Sequence, residues 1–196
     1  LIHMCCDRVL SGTEKVRAMH AAIQENSKNA PPPRRAKLFG ASSMGAPAKM
    51  ALEAGKKWAD GKTLNLFFLD GSATQRTRVT AQAMKWMKFA NIKFNFAATK
   101  AAAHVRISFV ADNGSWSYIG TDNLGIAKSK PTMNFGWLRD DTDDTEYERV
   151  VVHEFGHALG AIHEHQNPKG GIQWNLPAVY AYFAGPPNFW SKEDTD

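Results

Sequence analysis

Between Thr145 and His165 the chain reads T-E-Y-E-R-V-V-V-H-E-F-G-H-A-L-G-A-I-H-E-H, and no other stretch restricts the fold so tightly. His153, Glu154 and His157 form H-E-x-x-H, and Gly160 and His163 extend it to H-E-x-x-H-x-x-G-x-x-H. On an α-helix, residues four apart differ by about 40° in azimuth and by one turn in height. His153 and His157 therefore share a face and can reach one metal ion. Glu154 is turned about 100° from His153, which takes it out of the ligand set. It still reaches a water beside the metal, where a general base stands. A continuing helix would carry His163 about 240° away, so for His163 to join the pair the helix must end and fold back. Gly160 suits that point, because glycine enters the left-handed conformation of a helix C-terminus without steric cost. Three imidazoles then leave the fourth corner of a tetrahedron for water, the donor set of a catalytic zinc. One zinc ion on His153, His157 and His163, with Glu154 as base, is the expectation.

The start of this helix is also legible. Thr145 and Glu148 have the spacing of a capping box, and Asp140, Asp141, Asp143 and Asp144 would lie at the positive end of the helix dipole. The D-x-[DN]-x-[DN]-G spacing of a calcium loop is absent, so these aspartates read as a solvated helix start.

Upstream, Ser11 to Ser27 reads as a helix opened by a Ser11/Glu14 capping box, with Val16, Met19 and Ile23 at helical spacing. Pro31-Pro32-Pro33-Arg34-Arg35 stops it as a linker. Pro47 can begin a second helix with Met50, Leu52 and Trp58 as packing residues, ended by Gly61. Thr63–Leu69 is the first strand, closed by Asp70-Gly71. Ser72 and Gln75 cap a helix whose stripe of Val79, Ala83, Trp86, Met87 and Ala90 is spaced to cover a sheet. Ile92, Phe94 and Phe96 alternate as a half-buried strand, and Ala103–Val110 gives a third. His104, at its start, reads as a structural histidine. Ser115–Gly120, Leu124–Lys128 and Thr132–Trp137 are short extended pieces before the histidine helix. After His165 the turn residues Asn167-Pro168 and Gly170-Gly171 precede a short helix at Ala178–Ala184, with Tyr180 and Tyr182 as packing residues. This order predicts an α+β fold with α/β-like layers, two helices on a twisted, mostly parallel sheet. Residues 1–61 read as a helical and linker extension and residues 62–196 as the domain that carries the chemistry.

The string H-E-F-G-H-A-L-G-A-I-H-E-H resembles the metzincin zinc signature, and the glutamate after the third histidine makes it most similar to the astacin-like branch. S-W-S-Y-I-G (Ser115–Gly120) and T-M-N-F-G-W (Thr132–Trp137) resemble the strands that precede the active-site helix in astacin-like peptidases. The likeness covers about Lys62 to Trp174. It implies a metzincin-like N-terminal subdomain and a zinc-dependent endopeptidase acting on peptides or proteins outside the cell. It also implies zinc on His153, His157 and His163 and a catalytic Glu154. The family's next glutamate, which often anchors the mature N-terminus, falls on Glu164. The family's substrate-pairing edge strand best matches Leu124, Gly125, Ile126, Ala127 and Lys128. Metzincins carry a methionine turn beneath the zinc, and the last methionine here is Met133. The resemblance thus implies that a C-terminal part, a partner from the same polypeptide, is missing.

Composition narrows the alternatives. Hydrophobic residues at 43% and charged residues at 22% are ordinary for a globular chain, and no apolar run approaches the roughly 20 residues of a membrane span. Residues 1–110 hold 18 Lys and Arg against 6 Asp and Glu, but these charges are scattered singly, without a nucleic-acid-binding motif. Neither nucleic acid nor a membrane is an expected partner. Cys5 and Cys6 are adjacent and form no disulfide framework. They read as an exposed terminal pair, the sharper alternative being that one thiolate caps the zinc in a latent form. A zinc-containing binding or scaffold protein with an incomplete catalytic apparatus is the second functional reading.

Overall fold

The computed structural model describes Cys5 and residues 8–31, 52–163, 173–185 and 189–195. They fall in two compact units, Leu1–Ile162 and His163–Asp196. Cys6, Pro47, Met50 and Glu164, and most of the proline–arginine linker, lie outside the described residues.

The first unit is built on a five-stranded sheet. Its strands are β1 (Thr63–Phe68), β2 (Lys93–Asn95), β3 (Val105–Ser108), β4 (Ser115–Ser117) and β5 (Met133–Phe135). The order across the sheet is β2-β1-β3-β5-β4. All neighbours are parallel except β4, which runs antiparallel to β5 with Trp116 opposite Asn134. The predicted mostly parallel sheet is therefore present. Alternation along the strands sends Leu64, Leu66, Val105, Ile107, Met133 and Phe135 into one core. There they meet Val79 and Ala83 of α2 (Ala73–Ala83) and Tyr147, Val150, Val151 and Phe155 of α3 (Asp144–Ala158). The opposite face carries polar side chains joined to one another, as in Ser108 Oγ to Asn134 Oδ1 at 2.7 Å.

Both α2 and α1 (Gly12–Glu25) open with the capping boxes their sequences predict, Ser72/Gln75 and Ser11/Glu14. Other expectations need correction. The face that α1 buries is Ala18 and Ala22, while Val16 and Met19 are exposed. A helix does not run from residue 52 to Gly61, where Leu52 instead bridges Ala161 in the antiparallel sense; Trp58 is buried as predicted. The stripe on α2 continues into a tighter 3-10 turn at Met84–Lys88. The cap of α3 is Asp143, whose carboxylate accepts from the Glu146 N–H at 2.8 Å, so the helix starts before Thr145. An aspartate already in capping geometry there satisfies the first-turn donors before Thr145 can. Asp144 pairs with Arg78 at 2.7 Å.

The second unit holds α4 (Leu176–Ala184), capped by Asn175, and α5 (Lys192–Thr195). Phe183 and Trp190 stack with ring centroids 4.9 Å apart, and Tyr182 is exposed rather than packed.

Candidate metal centre

The site grows from the last two turns of α3. Glu154 and His157 are buried, at 1% and 3% exposure, and His153 is exposed on the same helix. The helix ends at Ala158, and Gly160 takes φ +106°, the left-handed region predicted for it. The returning chain puts the Ala161 carbonyl 2.9 Å from His157 Nδ1. A carbonyl can only accept, so Nδ1 carries the proton and the lone pair of His157 lies on Nε2. That atom is 3.1 Å from His153 Nε2. Helical spacing has thus brought the two Nε2 atoms within hydrogen-bond distance of each other on one face of α3. His163 is half-buried and is the first residue of the second unit.

Cys5 also arrives there. Its backbone bridges Ser115 in the parallel sense, at the free edge of the sheet formed by β4. Its Sγ lies 3.5 Å from Glu154 Oε2, and a ligand atom from each of Cys5, His153 and His157 falls within 4.8 Å of the others. Two imidazoles and a thiol are soft-to-borderline donors, and the proton on His157 Nδ1 leaves Nε2 ready to ligate. This donor set fits zinc. The bland reading of Cys5 as an exposed terminal residue does not hold. Its position depends on a strand-edge contact some 110 residues away, which nothing local in the sequence signals.

The segment Leu124–Lys128 does not form the free edge strand expected of it. Gly120–Gly125 is a 3-10 turn, and Ile126 is buried. Arg106, fully buried on β3, holds Leu124–Lys128 at one point within it and at one point on either side. Its Nε donates to the Lys130 carbonyl at 2.8 Å and its Nη2 to those of Ile126 at 3.2 Å and Asn123 at 3.4 Å. The Ile126 carbonyl, which an edge strand could offer outward, is thus held by a cation together with two carbonyls that flank the segment. Burial pulls the Arg106 pKa down to about 10, which leaves it charged at neutral pH. Over the turn lies α1: a Cβ on Gly125 would sit 2.7 Å from the Ala18 Cβ and 3.0 Å from the Glu14 carbonyl.

His104 behaves as a structural histidine, with Nδ1 accepting from the Asn65 N–H at 2.9 Å. Its pKa is lowered by burial first and by nearby Lys62 second.

The family model for Astacin, a peptidase family, matches residues 51–170. The chain belongs to this family. Astacin-family membership makes it a zinc metallopeptidase, and the α+β fold agrees. Among solved structures it is similar to that reported as "Structure of myroilysin", at 46% identity and a TM-score of 0.67 over 74% of this chain and 70% of that one. "Crystal structure of myroilysin" gives 47% identity and a TM-score of 0.57, covering 72% of this chain and 61% of that one. A hatching-enzyme zinc-protease of the medaka fish Oryzias latipes, high choriolytic enzyme 1, is 16% identical with a TM-score of 0.46, covering 70% and 66%. No curated protein sequence matches the chain. Among the described residues no helix is long and apolar enough to cross a membrane.

Proposed function

We propose that this astacin-family chain is a zinc-dependent endopeptidase held in a latent form. The observation that carries the reading is the convergence of His153 and His157 beside the buried Glu154, with the Cys5 thiol within reach of all three. One zinc would be held by His153, His157 and His163, the last assigned by its spacing in the signature. Bound zinc supplies a Lewis acid that polarises the scissile carbonyl and lowers the pKa of a water in its open position to about 7.

Glu154 takes the proton of the attacking water as the new C–O bond forms. It then delivers that proton to the amine nitrogen as the C–N bond breaks. The water is the nucleophile, so no acyl-enzyme is needed. Cys5, as a thiolate, is a stronger zinc ligand than water and would fill the position the water needs. Before it ligates, the protonated thiol donates to the Glu154 carboxylate at 3.5 Å, and that proton would have to leave as the thiolate meets the metal. An extended peptide that used Leu124–Lys128 would first require α1 to leave Gly125 and Ile126. The working compartment on this reading is extracellular, as in the family it resembles.

Elemental analysis should find close to one zinc per parent chain and none in His157→Ala. Cys5→Ser should cleave an unfolded protein substrate faster than the parent. Full zinc in His157→Ala would remove the site, and a Cys5→Ser chain no faster than the parent would remove the latency.

A further inference from the structure

Two carbonyls at the end of α3 are satisfied by residues outside the signature. A helix leaves its last four carbonyls without intrahelical donors, and a buried one must find a partner elsewhere. The Phe155 carbonyl accepts from the Leu159 N–H at 3.0 Å, that of Gly156 from Ala161 at 2.9 Å and that of His157 from Gly160 at 2.8 Å. Ala158 is left over, and its carbonyl accepts from the indole Nε1–H of Trp58 at 2.8 Å, in a buried bond. Beyond the helix, the Gly160 carbonyl accepts from the Glu53 backbone N–H at 2.9 Å. The next carbonyl, that of Ala161, is the one that fixes the His157 ring.

The turn is therefore gripped from two sides. One side is the ligand itself, through His157 Nδ1–H. The other is the strap Leu52–Trp58, which bridges Ala161 through Leu52 and donates to the carbonyls of Ala158 and Gly160. The strap is anchored in turn. The Lys56 carbonyl accepts from the Thr121 N–H at 3.0 Å, Lys56 Nζ pairs with Asp122 at 2.8 Å, and the Trp58 ring is buried against His104. Without the strap's two donors the Ala161 carbonyl would lose the frame that aims it at His157.

We propose that Trp58, together with the backbone N–H of Glu53, is a positioning element for the metal. It sets the turn whose Ala161 carbonyl holds the tautomer and the orientation of His157. The inference rests on the zinc reading above. Partners one step removed from a metal characteristically contribute 10- to 100-fold in affinity.

The test is zinc affinity of the full chain by competition with a chromophoric chelator, together with thermal melting of the zinc-free protein. Trp58→Phe keeps the aromatic packing and removes the N–H. Glu53→Pro removes the other donor, and Glu53→Ala keeps it. Zinc should bind about 10- to 100-fold more weakly to Trp58→Phe and to Glu53→Pro. Glu53→Ala should match the parent. Affinity is read well below the lowest zinc-free melting temperature, where every variant is folded and a merely structural role would leave it alone. Should Trp58→Phe fail to fold, the Glu53 pair decides the matter by itself. Parent-like affinity in folded Glu53→Pro, or equal weakening in Glu53→Ala, overturns the inference. A parent chain that takes up no zinc overturns the site reading and this inference with it.

Discussion

The end of α3 and the 3-10 turn at Gly120–Gly125 are both short, polar and largely buried, yet they are held in place by different means. In α3 the polar groups of the site stand at offsets of one, three and four along a helix, so the covalent chain itself brings His153, Glu154 and His157 together. At Gly120–Gly125 the Asn123 amide donates to the Gly120 carbonyl at 2.8 Å, but further bonds and contacts come from distant elements. Arg106, on a strand some twenty residues earlier, donates to the carbonyls of Asn123 and Ile126, and α1, a hundred residues earlier, closes over Gly125. The first arrangement is periodic and can be read from a few letters; the second exists only once the sheet has formed.

The largest effect should come from the locally written region. In a Cys5→Ser background, Glu154→Gln should lower kcat for peptide cleavage by about 10²- to 10⁴-fold, or about 3 to 5 kcal/mol of barrier, with zinc content unchanged. Turnover within a few-fold of the background would mean that another group is the base. Next in size is Arg106→Met, which leaves buried carbonyls without a donor. Urea denaturation should show a loss of about 3 kcal/mol, with zinc binding kept. Unchanged stability would show that the turn is shaped by its own residues and would erase the contrast with α3.

Gly125→Val sharpens the comparison from the α1 side. Overpacking typically costs about 1 to 3 kcal/mol, and here the helix can move away instead. Amide exchange across Gly12–Glu25 should quicken while α3 keeps its protection; unchanged exchange would mean that α1 does not rest on Gly125. The smallest effect is at His104, whose folded pKa is depressed from the ordinary 6.5 by burial. Such a group favours folding above its unfolded pKa, and that contribution is lost as pH falls from about 6.5 through the folded value. His104→Asn should flatten this part of the acid stability profile, and an identical slope in the two proteins would assign it to other groups.

Sequence pattern went far where the signal was local. The zinc-type spacing, the turn at Gly160, the two capping boxes and the mostly parallel sheet were all legible, because each depends on neighbours within about one helical turn or on strand alternation. Val16 and Met19 misled on α1 because the helix backbone comes close to Gly125 at Ala18, and Ala18 and Ala22 are the residues that face inward. Leu124–Lys128 misled because its first two residues belong to a 3-10 turn and the Ile126 carbonyl is bound by the distant Arg106. Cys5 and Trp58 act across 149 and 100 residues of sequence, to Glu154 and Ala158, and no local pattern marks such partners.

The packing of α1 carries a consequence for timing. The helix is 14 residues long and presents chiefly Ala18 and Ala22 to the body, with Val16 and Met19 turned to solvent. Helices of about 12 to 15 residues are marginal alone in water, so α1 would unwind soon after parting from Gly125. Return would then demand nucleating the helix again as well as finding the surface. Docking and helix formation of α1 are therefore coupled: the contact with Gly125 supports the helix, and the helix supplies the face that makes the contact.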